Sequence, residues 1–228
     1  MGRLELAGSP RRGQVRVAGW AFDPSAPTAP VSIRVFVGGN PGSPGVARYE
    51  LGPIATQARP DVALSHSLAG GDHGFDVSFV TTKSGRQPVC VYAIDIDPGA
   101  DKRLGCRTIG VPVAISLSHL RTSRTAVRLS LRCEWPAGTQ CPGQILLRAG
   151  VPVRVGGRRG GTRVVRRAIA RRQFMLTGGA SRAFLLQLGG TGRRLALERD
   201  RLAAQLVVAI PGGRVNRAVV LKRPATRP

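Results

Sequence analysis

Val89-Cys90-Val91-Tyr92-Ala93-Ile94, then Asp97-Pro98-Gly99, then Leu104-Gly105-Cys106-Arg107-Thr108 is the stretch whose reading decides the fold. Val89, Val91 and Ala93 alternate with their neighbours, the two-residue period of a strand with one buried face. Asp-Pro-Gly is good turn chemistry, so the chain folds back there and Cys106 returns opposite Cys90 in an antiparallel ladder. Cys133 and Cys141 flank Pro136-Ala137-Gly138, a second plausible turn. Four cysteines permit three pairings, and hairpins favour the sequential one, Cys90 with Cys106 and Cys133 with Cys141. The alternative is four reduced, buried thiols. Bridges persist in an oxidising compartment, so the pairs argue for export. Met1–Leu6, in contrast, holds no apolar run of signal-peptide length, which by itself reads as a chain that stays inside.

The same alternation recurs at Val15/Val17, Val31/Ile33/Val35/Val37, Phe75/Val77/Phe79, Val127/Leu129/Leu131/Cys133 and Phe184/Leu186/Leu188. Glycine-rich turns at 39–42, 70–72, 156–161 and 211–213 separate these runs. Two segments read as helical, Pro60–Ser67 and Arg193–Leu202. Short strands without long helical crossovers predict an all-β chain of two tandem Ig-like β-sandwich domains, each with one internal disulfide. The boundary falls at Val111-Pro112-Val113-Ala114, giving a first module over 1–113 and a second over 114–228. No apolar stretch approaches the roughly 18 residues of a membrane-spanning helix.

Charge separates the two halves. Residues 1–114 carry 12 Lys+Arg against 9 Asp+Glu, whereas residues 115–228 carry 23 against 3. Of those 23 cations, 22 are arginine. Coding bias explains arginine over lysine but not the shortage of acids. Guanidinium groups suit bidentate contact with phosphate or carboxylate, so the partner expected of the second module is a polyanion. The candidate contact residues are Arg128, Arg132, Arg154, Arg158, Arg159, Arg163, Arg166, Arg167, Arg171 and Arg172. Arg128, Arg132 and Arg154 alternate with core-facing residues, which predicts an outward face for them.

Anionic cell-envelope polymer or acidic glycan fits both the charge and the compartment of the disulfides. Nucleic acid satisfies the same charge logic, as a cytoplasmic alternative, with steep salt dependence. The basic half has only three aromatics, Trp135, Phe174 and Phe184, and both phenylalanines sit in strand patterns. Stacking platforms for bases need exposed rings.

Enzymatic readings find little support. The chain lacks Gly-x-Ser-x-Gly, His-Glu-x-x-His and a phosphate-binding Gly-x-x-x-x-Gly-Lys loop. Asp61, Ser65, His66 and His73 share one segment, but sequence proximity is not triad geometry. Asp95, Asp97 and Asp101 imitate part of a calcium loop without its terminal bidentate Glu. The three histidines, His66, His73 and His119, do not cluster with cysteine as zinc requires. No metal, cofactor or catalytic residue is therefore expected. Trp20 and Trp135 are read as core residues rather than sugar platforms.

Val17-Ala18-Gly19-Trp20-Ala21-Phe22-Asp23-Pro24, a valine-rich strand ending in Gly38-Gly39, Arg59-Pro60-Asp61-Val62, His73-Gly74-Phe75-Asp76 and the Cys90/Cys106 segment form an ordered series. Over residues 3–113 this series resembles a β-sandwich module of secreted actinobacterial proteins, one that accompanies cell-wall hydrolases. The resemblance implies an Ig-like or fibronectin-like sandwich with a disulfide hairpin and an accessory, non-catalytic role. It also admits a second alternative, a non-catalytic fragment of such a hydrolase. Cys141-Pro142-Gly143-Gln144-Ile145-Leu146-Leu147, with a terminal hairpin from Leu202–Ile210 and Arg217–Leu221, more loosely resembles Ig-like repeats of large exported proteins.

Overall fold

The computed structural model describes residues 1–68, 70–96, 99–155 and 161–222. The chain divides into two compact units, Met1–Ala114 and Ile115–Pro228. Both are Ig-like β-sandwiches.

Unit 1 places β1 (Gly2–Gly8), β2 (Gln14–Ala21), β5 (Gln57–Ala58) and β6 (Asp72–Val80) in one sheet, ordered β1-β2-β6-β5. Its second sheet holds β3 (Ser32–Val37), β4 (Ala47–Pro53), β7 (Gly85–Ala93) and β8 (Lys102–Val111), ordered β4-β3-β7-β8. Every pairing is antiparallel. The alternating residues meet between the sheets: Val15, Val17, Ile33, Val35, Phe75, Val89 and Val91 are all fully or almost fully buried. Removing such side chains from water is the main drive for the fold, at about 1.5–3 kcal/mol for each large aliphatic or aromatic group.

Gly19 shows how tightly the first sheet closes. A Cβ there would stand 2.1 Å from the backbone oxygen of Arg3 and 3.1 Å from the ring of Phe75. The requirement is one of space, because a side chain at Gly19 would run into the backbone of β1.

Cys90 and Cys106 are direct partners in the β7/β8 ladder and are bonded, as the hairpin reading expected. The reversal at Asp97-Pro98 lies outside the described residues. This bridge stands on the face of its sheet opposite Val89 and Val91, in the row that includes Phe36.

Unit 2 repeats the plan. Its three-stranded sheet is β13-β10-β9, from β9 (Ile115–Thr122), β10 (Ala126–Cys133) and β13 (Ser181–Gln187). Facing it is β12-β11-β14-β15, from β11 (Gln140–Val155), β12 (Gly161–Thr177), β14 (Arg201–Ile210) and β15 (Gly213–Lys222). Leu129, Leu131, Ile145, Leu147, Leu186, Leu206 and Val208 form the interior.

The Cys133–Cys141 bond forms, but not in a hairpin ladder. Cys133 ends β10 in one sheet and Cys141 begins β11 in the other, so the bridge pins the two sheets together inside the core, with both residues 0% exposed. Trp135 is buried, as expected.

Two sequence expectations need correction. The second helix, α2, spans Gly190–Glu198 rather than Arg193–Leu202. Leu202 belongs to β14, where its side chain is buried opposite Leu221. The leucine spacing fits both states, and sheet pairing decides between them. Trp20 is not a core residue either. It occupies an outward position on β2, half-buried, stacked with Phe22 and packed 5.2 Å from the ring of His66 on α1 (Pro60–His66).

Candidate anion-binding surface

In the first half several arginines are held by its own carboxylates. Arg16 forks onto Asp76, Arg34 bonds both Glu50 and Asp101, and Arg59 bonds Glu5 and Asp61. The Arg59 hydrogen bonds hold the Asp61 carboxyl down at about 2, and Arg16 likewise lowers that of Asp76. Asp23 sits at about 2 because the Ser25 hydroxyl and the backbone amides of Ser25 and Ile96 donate to it.

The four residues of the Asp61 segment do not assemble into a catalytic group. Asp61 is held by Arg59, Ser65 donates to the Val62 carbonyl, and the His66 ring packs at a tilt against Trp20. His73 is 2% exposed, its Nε2 3.2 Å from the Gly70 carbonyl and its Nδ1 without a hydrogen-bond partner among the described residues. Asp101 is committed to Arg34, and Asp97 lies outside the described residues.

In unit 2 the three acids are Glu134, Glu198 and Asp200. Several arginines are absorbed by the fold itself. Arg124 donates to the carbonyls of Ala196 and Leu197, Arg193 to that of Leu188, and Arg172 to that of Leu185. Arg172 and Arg182 also lie over the Phe184 ring, at 5.5 and 5.8 Å.

Strand alternation then distributes the sequence-predicted set over several faces. Arg128 and Arg132 point outward from β10, as expected. Arg128 stands opposite Arg121 on β9, and Arg132 lies 3.6 Å from Glu134. On the β11/β12 hairpin, Arg154, Arg166 and Arg171 fall on the outer face of the four-stranded sheet. Arg163, Arg167 and Arg172 fall on the opposite side, since they pair with Val153, Ala149 and Ile145. A β-bulge at Leu147/Arg148, with Ile169 as the extra residue, sets this parity. Arg158 and Arg159 lie outside the described residues. The run in the sequence is thus not a single patch in space.

What the sheet does bring together is a depression of about 820 Å³ on the outer face. Arg148, Arg166, Arg199 and Arg201 line it, over a base that includes Gly150, Ala203 and Ala218. Gln205 pairs with Arg148 on one side and Ala218 on the other, and its Oε1 accepts from Arg166 at 3.4 Å. Among the described residues, Arg148, Arg199 and Arg201 make no ion pair or side-chain hydrogen bond. Of the lining arginines only Arg166 belongs to the sequence-predicted set. The others are scattered along the chain, and nothing short of the β11/β14 register marks them as neighbours.

The chain matches no protein-family model and no curated protein. Solved structures with some likeness are a chicken CNTN1 segment of FN1–FN3 domains and a segment of two fibronectin type III domains from chicken tenascin. The first is 9% identical, with 97% of this chain and 67% of that chain covered and a TM-score of 0.30. The second is 11% identical, with 97% and 98% covered and a TM-score of 0.28.

Proposed function

We propose that this chain is a non-catalytic, exported binding protein whose second unit contacts an anionic cell-envelope polymer or acidic glycan. In this reading the first unit, over 1–113, is mainly scaffold, and the basic unit, over 114–228, is the contact module. The observation that carries it is the contrast in pairing. Four of the ten arginines of unit 1, Arg16, Arg34, Arg48 and Arg59, pair with carboxylates, whereas among the described residues of unit 2 only Arg132 and Arg194 do, and Arg128, Arg148, Arg154, Arg163, Arg167, Arg171, Arg199 and Arg201 have no such partner. Unpaired guanidinium groups at this density repel one another, and an external polyanion relieves that repulsion. Both disulfides support an oxidising compartment, and no helix among the described residues is long and apolar enough to cross a membrane.

A nucleic-acid reading keeps one observation in its favour. Beyond Ala149, β11 pairs only with β12, so residues 151–155 and 161–165 form a two-stranded ribbon with Arg154 and Arg163 on opposite faces. Ribbons of this kind enter the major groove. Against it stand Phe174 and Phe184, which are buried and so offer no base-stacking surface.

Co-sedimentation with insoluble Gram-positive cell walls, before and after removal of anionic polymer, tests the proposal, with duplex DNA as competitor at two salt concentrations. Binding that disappears on stripping and resists DNA is the expected result. Binding that DNA abolishes at both salts transfers the assignment to nucleic acid, and absence of sedimentation under every condition removes the cell-wall reading.

A further inference from the structure

The arginine-lined depression on the outer face of the β12-β11-β14-β15 sheet is more than a share of a diffuse basic surface. We infer that it is a discrete subsite for a hydroxyl-bearing polyanion with anionic groups on successive repeats. This inference rests on the function proposed above and adds the place and the ligand chemistry.

Three features of the depression support the assignment. Its volume, about 820 Å³, exceeds what a lone oxyanion needs and lies in the range of pockets that hold a whole small-molecule ligand. Among the described residues neither Asp nor Glu lines it, although Asp200 stands between Arg199 and Arg201 in the chain. Arg148, Arg166, Arg199 and Arg201 around one concavity suit a ligand carrying more than one negative group. A planar guanidinium fork meets a phosphodiester or a carboxylate through paired hydrogen bonds.

The base then selects among polyanions. Ala203 and Ala218 are small and exposed, so a chain can lie close to the sheet. Gln205 and Asn216 place amides there, each able to donate and accept, which suits hydroxyl groups. Gln205 also holds Arg166 through its Oε1, leaving its NH₂ to donate. No aromatic ring lines the depression. Nucleobases and the flat faces of neutral sugars, both of which favour stacking on rings, find no platform. The ligand chemistry that remains is shared by a polyol phosphate and an oligouronate.

Titration calorimetry of the full chain with a poly(glycerol phosphate) oligomer and with an oligogalacturonate separates these two sources. The variants are R148A/R201A in the depression, R103A/R107A on β8 of unit 1 as a charge-matched control, and Ala203→Tyr, which fills the base without altering charge. Unfolding midpoints of all three confirm that they fold. The subsite predicts a loss of about tenfold or more for R148A/R201A and for Ala203→Tyr with at least one oligomer, and less than about twofold for the control. Equal losses in R148A/R201A and R103A/R107A, or wild-type affinity in Ala203→Tyr, overturn the subsite while leaving the broader function standing. Failure of the wild-type chain to bind either oligomer removes both.

Discussion

Arg124 donates from Nε to the carbonyl of Ala196 at 2.8 Å, and its Nη2 reaches the carbonyl of Leu197 at 2.7 Å. These are carbonyls of the last turn of α2, which the helix cannot satisfy internally, and a cation there also complements the helix dipole. A residue from the β9–β10 turn thus closes a helix more than seventy positions away in sequence. Arg124→Ala is expected to destabilise unit 2 by about 1–2 kcal/mol, with partial retention in Arg124→Lys. Urea unfolding followed by Trp135 fluorescence in a Trp20→Phe background reads this directly.

Arg171 and Arg172 are adjacent yet do different work. Arg172 bonds the Leu185 carbonyl at 2.9 Å and lies over Phe184, whereas Arg171 points from the outer face without a partner among the described residues. Arg172→Ala is expected to cost about 1–2 kcal/mol of stability, and Arg171→Ala under about 0.5 kcal/mol. The same urea experiment distinguishes them, and equal stability of both variants contradicts the structural role of Arg172.

Acid acts mainly on unit 1. Asp23 and Asp61 titrate at about 2 in the folded chain against an ordinary 3.8, and Asp76 is also lowered. Folding therefore favours their charged forms. The stability this gives is fully present above about pH 4 and is lost as pH falls through about 2. Unfolding midpoints at pH 7, 4 and 2.5 are expected to fall most in the last interval for unit 1, read by Trp20 in a Trp135→Phe background. Unit 2, with three acids, is expected to change less.

The two bridges differ in loop length and in setting. Cys90–Cys106 closes a separation of 16 residues within one sheet, and Cys133–Cys141 a separation of 8 between sheets. Loop entropy alone gives about 3 kcal/mol for the first and somewhat less for the second. Cys133 and Cys141 are both fully buried, so replacing them with Ala also leaves a cavity in the core. Cys133→Ala/Cys141→Ala is accordingly expected to cost at least as much as Cys90→Ala/Cys106→Ala, despite its shorter loop. A smaller cost, measured by urea denaturation, removes the packing role of the inter-sheet bond.

The strands and the sandwich class were legible from local pattern. Val15/Val17, Val89/Val91 and Val127/Leu129/Leu131 bury one face at a period of two wherever the partner strand comes from. The sequential cysteine pairs were equally legible, and so was the excess of arginine in the second half. These are properties of neighbouring residues or of composition, and the chain carries them before it folds.

Only tertiary structure decided which arginines act together. Consecutive strand residues point to opposite faces, so the run from Arg163 to Arg172 is divided between them, and a bulge at Ile169 shifts the parity midway. Arg148 and Arg201 line one depression because β11 pairs with β14 in one register, and a slip of one residue would put them on opposite faces. The inter-sheet placement of Cys133–Cys141 and the capping of α2 by Arg124 have the same origin. Each depends on contacts between segments distant in sequence, which packing of the whole core selects and no local spacing encodes.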